Sequence, residues 1–146
     1  MAGWDHVKKQ EDNALQAMNR GGAYRLVKVV PFDPATGPQM RTTIKGWVTQ
    51  EIWLKGQSPE DLELRLGFDR RPGRQYLMHG LDAYLITRPI RRGEFQLGGA
   101  YTYLPDGKEW DGVDLQWPPG SGAVQWKLIK DVDCRYLKTV RRGQRY

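Results

Sequence analysis

"TTIKGWVTQEIWL", residues 42–54, is the stretch whose reading decides the fold. Its side chains alternate. Ile44, Val48, Ile52 and Leu54 fall on one face, and Lys45, Trp47, Thr49, Glu51 and Trp53 fall on the other. Period-two alternation is the signature of a strand with one buried and one solvated face. The stretch therefore predicts a half-buried β-strand. Just upstream, AYRLVKVV (23–30) is rich in β-branched residues and reads as a second strand. PFDPATGP (31–38) joins them with turn formers. A hairpin over residues 23–57 follows.

Working outward, residues 5–19 read as a helix. Val7, Ala14, Leu15 and Met18 share one stripe, and Gly21 or Gly22 can end it in the left-handed region. SPEDLELRLG (58–67) carries the clearest helix signals in the chain. Ser58 suits the cap, Pro59 the first helical position, Glu60 and Asp61 the positive end, and Gly67 the stop. Beyond it the pattern is almost all β. RQYLMHG, DAYLITR, GEFQL, AYTYL and AVQWKLIK are short segments parted by Gly and Pro, and Asp106-Gly107 is a hairpin turn signal. The predicted architecture is a single α+β domain over residues 1–146. It has an N-terminal helix within 1–22, the hairpin, and from 58 onward a helix plus a twisted, mostly antiparallel β core.

Composition bounds the function. The chain has 146 residues, 39% of them hydrophobic and 27% charged, which is the composition of a soluble globular domain. No apolar run approaches the ~20 residues of a membrane span. MAGWDHVKKQEDN holds no apolar segment of the signal-peptide kind, so a cytoplasmic protein or one delivered by a dedicated secretion machine is expected. Cys134 is alone, and only His6 and His79 are present, so no metal site is expected. The net charge of +6 favours an anionic partner: nucleic acid, a nucleotide, an acidic protein or a phospholipid surface. Arg65, Arg70, Arg71, Arg74, Arg88, Arg91 and Arg92 form one basic cluster. Lys127, Lys130, Arg135, Lys138, Arg141, Arg142 and Arg145 form another.

Familiar catalytic motifs are missing. There is no phosphate loop, no dinucleotide-binding G-x-G-x-x-G and no G-x-S-x-G elbow. Two stretches stand out. RLGFDRRPGRQYLMHG (65–80) sets a basic, Gly-containing loop between a helix end and a strand, an arrangement suited to a pyrophosphate or to an ordinary solvated connection. His79 within it is a candidate ligand-orienting group or a plain half-buried side chain. PPGSGAVQWKLI (118–129) runs a flexible loop into a strand that opens with Gln125 and Trp126. In a regular strand these two point to opposite faces, so one can serve a pocket while the other fills the core.

These stretches carry a resemblance. Leu64-Arg65-Leu66-Gly67, then Gly73-Arg74-Gln75-Tyr76-Leu77, then Arg88-Pro89, then Pro119-Gly120-Ser121-Gly122-Ala123-Val124-Gln125-Trp126 occur in the order of the motifs of the tuberculosis necrotizing toxin family of NAD glycohydrolases. The similarity spans roughly residues 62–128. Leu64 stands where that family has Asp, Leu66 where it has Phe, and Trp126 where it has Tyr. One extra residue separates the glycine loop from Gln125. The resemblance implies a small β-rich core related to ADP-ribosyltransferases and cleavage of the nicotinamide–ribose bond of NAD, with no metal. By position, Arg65, Arg74 and Arg88 would hold the diphosphate and ribose, Tyr76 and Trp126 would line the NAD site, and Gln125 would orient the ribose or the attacking water. The competing reading is a non-enzymatic basic β-rich protein, either binding nucleic acid through its aromatics and arginines or assembling into a larger particle such as a virion.

Overall fold

The computed structural model describes residues 2–66, 77–96 and 123–146. The chain is an α+β domain with an N-terminal helix and an antiparallel sheet. Helix α1 spans Ala2–Met18 and α2 spans Pro59–Arg65. The strands are β1 (Leu26–Pro31), β2 (Thr43–Gln50), β3 (Gly80–Ile86) and β4 (Gln125–Arg141). They close into a barrel in the order β1-β2-β4-β3, with every pairing antiparallel.

Closure depends on β4. Its first half pairs with β2, Thr49 facing Gln125 and Ile44 facing Val132. Its second half pairs with β3, Ile86 facing Cys134 and Gly80 facing Arg141. Register shifts interrupt both ladders, between Ile44 and Gly46 and between Ala83 and Tyr84. Such shifts sharpen bend and twist, which lets one 17-residue strand serve two partners. Phe95 adds a bridge to Leu128 on the edge that β3 leaves open.

Alternating side chains feed two apolar sets. One holds Leu26, Ile44, Val48, Tyr84, Trp126, Leu128 and Val132, with Ala14, Ala17 and Met18 of α1 against them. The other holds Val27, Val29, Leu81, Ala83, Leu85 and Val140, with Leu62 and Leu66 of α2 against them. Each helix is thus held by its apolar stripe. Val7, on the same stripe of α1 but two turns earlier, is exposed.

Coverage of both faces corrects the half-buried reading of residues 42–54. Thr49 and Glu51 are buried, not solvated. The strand also stops at Gln50, and Glu51–Trp53 form a 3-10 turn, so alternation ends there and Ile52 is the exposed member. Buried Glu51 is satisfied by the Arg25 fork, at 2.8 and 3.0 Å, and by the Tyr146 hydroxyl. Burial pushes its carboxyl up, but these partners outweigh that and hold it below its ordinary value.

The α2 cap forms as the sequence requires. Ser58 Oγ accepts from Asp61 N at 3.2 Å, and Asp61 returns a bond to Ser58 N. Gly21 and Gly22 both adopt positive φ just after α1. Leu77–His79 form a turn where a strand was expected. The Asp106-Gly107 turn and the AYTYL segment lie outside the described residues.

Candidate functional site

The end of α2 and the start of β4 meet. A helix leaves its last carbonyls without intrahelical donors. Here the incoming strand supplies them: Ala123 N donates to Arg65 O at 3.2 Å, and Gln125 Nε2 donates to Leu66 O at 2.9 Å. Gln125 is only 7% exposed. Beside it, Thr49 Oγ1 donates to Val124 O at 2.7 Å and fixes the strand's entry onto β2.

The other flank of the basic loop is also anchored. Leu77 N donates to Glu63 Oε1 at 2.8 Å. Arg142 Nη1 donates to Leu77 O at 3.2 Å, and its Nε pairs with Glu60 Oε1 at 2.9 Å. Leu66 and Leu77 are therefore both tied to one small region, formed by α2, the start of β4 and the residues just after β4. Glu63, Thr49 and Arg142 perform this anchoring. The sequence placed Arg142 only in a basic cluster and Thr49 only on a solvated strand face, and it gave Glu63 no role, because nothing local to any of them announces the partner it anchors.

The expected site residues distribute as follows. The Arg65 backbone and the Gln125 side chain come together at this junction. Arg74 and Tyr76, with the loop 119–122, lie outside the described residues. Trp126 points to the opposite face, 1% exposed, within the set that contains Tyr84, Leu128 and Val132. Gln125 and Trp126 thus split faces as alternation demands, and both are buried.

Arg88 is not brought to the junction. It lies just past β3, where its guanidinium forks onto Glu94 at 2.8 and 2.6 Å and lies 3.6 Å from Asp133. The Arg88 bonds drive the Glu94 carboxyl down to about 2. An arginine so engaged must release a carboxylate before it can hold a phosphate.

The basic clusters are likewise partly consumed. Arg92 pairs with Glu11 and Asp12 of α1, Arg142 with Glu60, and Lys138 stands over the Tyr146 ring at 3.6 Å. Lys127, Lys130 and Arg135 remain exposed on β4, interleaved with exposed Asp131 and Asp133. His79 is exposed, and its carbonyl accepts from Arg142 N at 3.4 Å. Among the described residues no group of three His, Cys, Asp or Glu gathers in a metal-binding arrangement. No described helix is long and apolar enough to cross a membrane.

Comparison of the chain with protein families, curated proteins and solved structures returned no match.

Proposed function

We propose that the chain is an NAD-processing domain that cleaves the nicotinamide–ribose bond, as a glycohydrolase or an ADP-ribosyltransferase, at the junction of α2 and β4. The observation that carries this reading is the meeting of Leu66 with Gln125. The two ends of the resemblance are 59 residues apart in sequence, and a buried 2.9 Å hydrogen bond joins them.

The chemistry asks for little else. The transition state has oxocarbenium character, so holding the dinucleotide and steadying developing charge supplies most of the acceleration. In hydrolysis, water adds to the ribose carbon as the bond to nicotinamide breaks, and the products are nicotinamide, ADP-ribose and a proton. Gln125 spends its Nε2 on Leu66 O, so its first task is to fix the wall formed by the end of α2. Its carboxamide oxygen is the group with which it would orient the water. Arg65 is the cation nearest this wall in sequence. Arg88 stays with Glu94 and has no part in this reading.

The test is nicotinamide release from NAD by the purified protein, followed by chromatography, with Arg65→Ala and Gln125→Ala as folded variants checked by thermal melts. Release by the wild type and loss in both variants supports the proposal. Release that needs an added acceptor selects the transferase. Absence of binding and turnover at millimolar NAD overturns it.

One observation favours the second, non-enzymatic reading. Half-exposed Trp47 sits directly across from exposed Lys127, and exposed Lys45 lies two positions before it on β2. An indole beside a cation suits an unpaired base. Binding to single-stranded oligonucleotide that weakens steeply with salt would support it, because each neutralised phosphate releases counterion.

A further inference from the structure

β1 and β2 pair through Leu26–Gln50 and Val27–Thr49 and then part. The segment 32–42 that joins them crosses the side on which they part. It leaves from Pro31, which pairs with Leu81, and Phe32 N donates to Gly80 O at 3.0 Å. It returns beside β4, where Cys134 N donates to Thr42 O at 2.9 Å and Cys134 Sγ to Arg41 O at 3.6 Å. Between these ends it is tied to the barrel at Tyr84, whose Oη donates to Gln39 O at 2.5 Å. The Arg41 guanidinium stands 5.7 Å from the same ring. Residues 39–42 are exposed, while Tyr84 and Cys134 are buried. A stretch with neither helix nor strand, held by a handful of bonds, is the kind that opens without unfolding the rest.

Asp82 lies two positions before Tyr84, so the two share one side of β3, and it is 3% exposed. Across the ladders it faces Val30 of β1 and Thr139 of β4. Its carboxylate takes one hydrogen bond among the described residues, from Thr139 Oγ1 at 2.5 Å. With its own proton so committed, Thr139 Oγ1 accepts from the Tyr136 hydroxyl at 2.6 Å, and the Tyr136 ring meets Tyr84 edge-on at 6.0 Å. The charges on the flanking strands are engaged elsewhere. Lys28 of β1 donates to Trp47 O at 3.1 Å, and on β4 Lys138 and Arg141 stand over the Tyr146 and Phe32 rings. Arg41 of the crossing segment is the charge that acts on Asp82.

We propose that residues 33–42 form a pH-gated strap, closed over Asp82 and Tyr84 while Asp82 carries a proton and opening more readily once it ionises. The closed strap keeps a carboxyl group in a dry place with one hydroxyl for company. Burial pushes that carboxyl above its ordinary value, and the Thr139 bond and the Arg41 charge offset only part of the rise. A protonated Asp82 donates to Thr139 Oγ1 instead of accepting from it, so the closed state satisfies the neutral acid. Opening lets water reach the carboxylate and returns it toward its ordinary value. The closed state therefore holds the proton more tightly, and linkage draws the strap shut as pH falls and loosens it as pH rises. None of the strap's contacts belongs to the α2–β4 junction.

Cys134, the one cysteine of the chain, lies against the strap and reports its opening. The test is the rate at which dithiodipyridine, a thiol reagent that also works in acid, labels Cys134 between about pH 4 and about pH 8. Wild type is compared with Asp82→Asn, a neutral stand-in for the protonated acid. The charges acting on the thiol are Arg41 and Asp133, so the ratio of the two rates cancels the thiol's own ionisation. That ratio should stand near one at the acid end, rise with pH and level off, by about tenfold for each unit by which burial lifts the carboxyl. A flat or falling ratio overturns the proton link. If Asp82→Asn does not fold, Thr139→Val decides. It removes the hydroxyl that lowers the carboxyl, so the rise should move to higher pH than in wild type, and an unmoved rise overturns the proposal. Tyr84→Phe should speed labelling about fivefold at every pH, the worth of one hydrogen bond. An unchanged rate there overturns the strap's anchor.

Discussion

Asn19 and Ile90, 71 positions apart, exchange two hydrogen bonds: Asn19 Nδ2 donates to Ile90 O at 3.0 Å, and Ile90 N donates to Asn19 Oδ1 at 2.8 Å. The side-chain amide imitates a strand partner for a residue that has none in the sheet. It thereby joins the end of α1 to the segment after β3. Asn19→Ala should cost about 1–3 kcal/mol, because it strips both backbone groups of buried Ile90 of their partner. Asn19→Asp keeps the acceptor, loses the donor, and should fall between. Urea unfolding of the three proteins checks this order.

Gln125 and Trp126 make a second pair of predictions. Trp126→Ala removes a fully buried indole and should cost about 3–5 kcal/mol. Gln125→Ala leaves Leu66 O without its donor and should cost about 1–3 kcal/mol, more than a surface glutamine would. Paired thermal melts measure both. A silent Gln125→Ala would mean that the α2 end does not depend on this bond.

The Arg88–Glu94 pair predicts an acid limb. The Glu94 carboxyl falls from 4.5 in the free state to about 2 in the fold. A carboxyl with a lowered folded value stabilises fully above its unfolded value and loses that contribution as pH falls through the folded one. Stability should therefore drop between about pH 4.5 and pH 2. Glu94→Gln should flatten that part of the profile, and melts across a pH series would show it.

Gly80 is the least replaceable glycine described. It begins β3 at a φ of +121° and pairs with Arg141. An added Cβ would meet the Val140 carbonyl oxygen and lie 2.7 Å from the Arg141 Cα, both backbone atoms that cannot swing away. Gly80→Ala should cost about 3–5 kcal/mol through combined strain and clash. Denaturant unfolding reads it directly.

What could be read from the sequence was what depends on neighbours in the chain. The Ser58 cap, Pro59 and the acidic first turn form a local device, and α2 starts where they place it. The α+β architecture also follows from period alone. What escaped was closure. Thr49 and Glu51 look like solvated positions until a second layer covers them, and nothing near residue 50 announces α2 or Tyr146. β4 runs on through Asp131 and Asp133 because Val132 and Cys134 alternate with them. The charges mask a strand that its apolar half already spells out. The site was legible only as two separate stretches. Their meeting depends on the Gln125–Leu66 bond, and no window of sequence contains both residues.

The double duty of β4 has a consequence for how the chain comes to be folded. During synthesis β1, β2 and β3 emerge first, and β1 can already pair with both of the others. Each then presents an unpaired edge, and those edges wait for β4, which is made after all three. The ring cannot shut until Arg141 has left the ribosome, because it is the partner of Gly80 at the far end of β3. Closure is therefore a late, long-range event of the slow kind. The nascent chain spends that interval with open strand edges, when a chaperone or a neighbouring copy would find it easiest to seize.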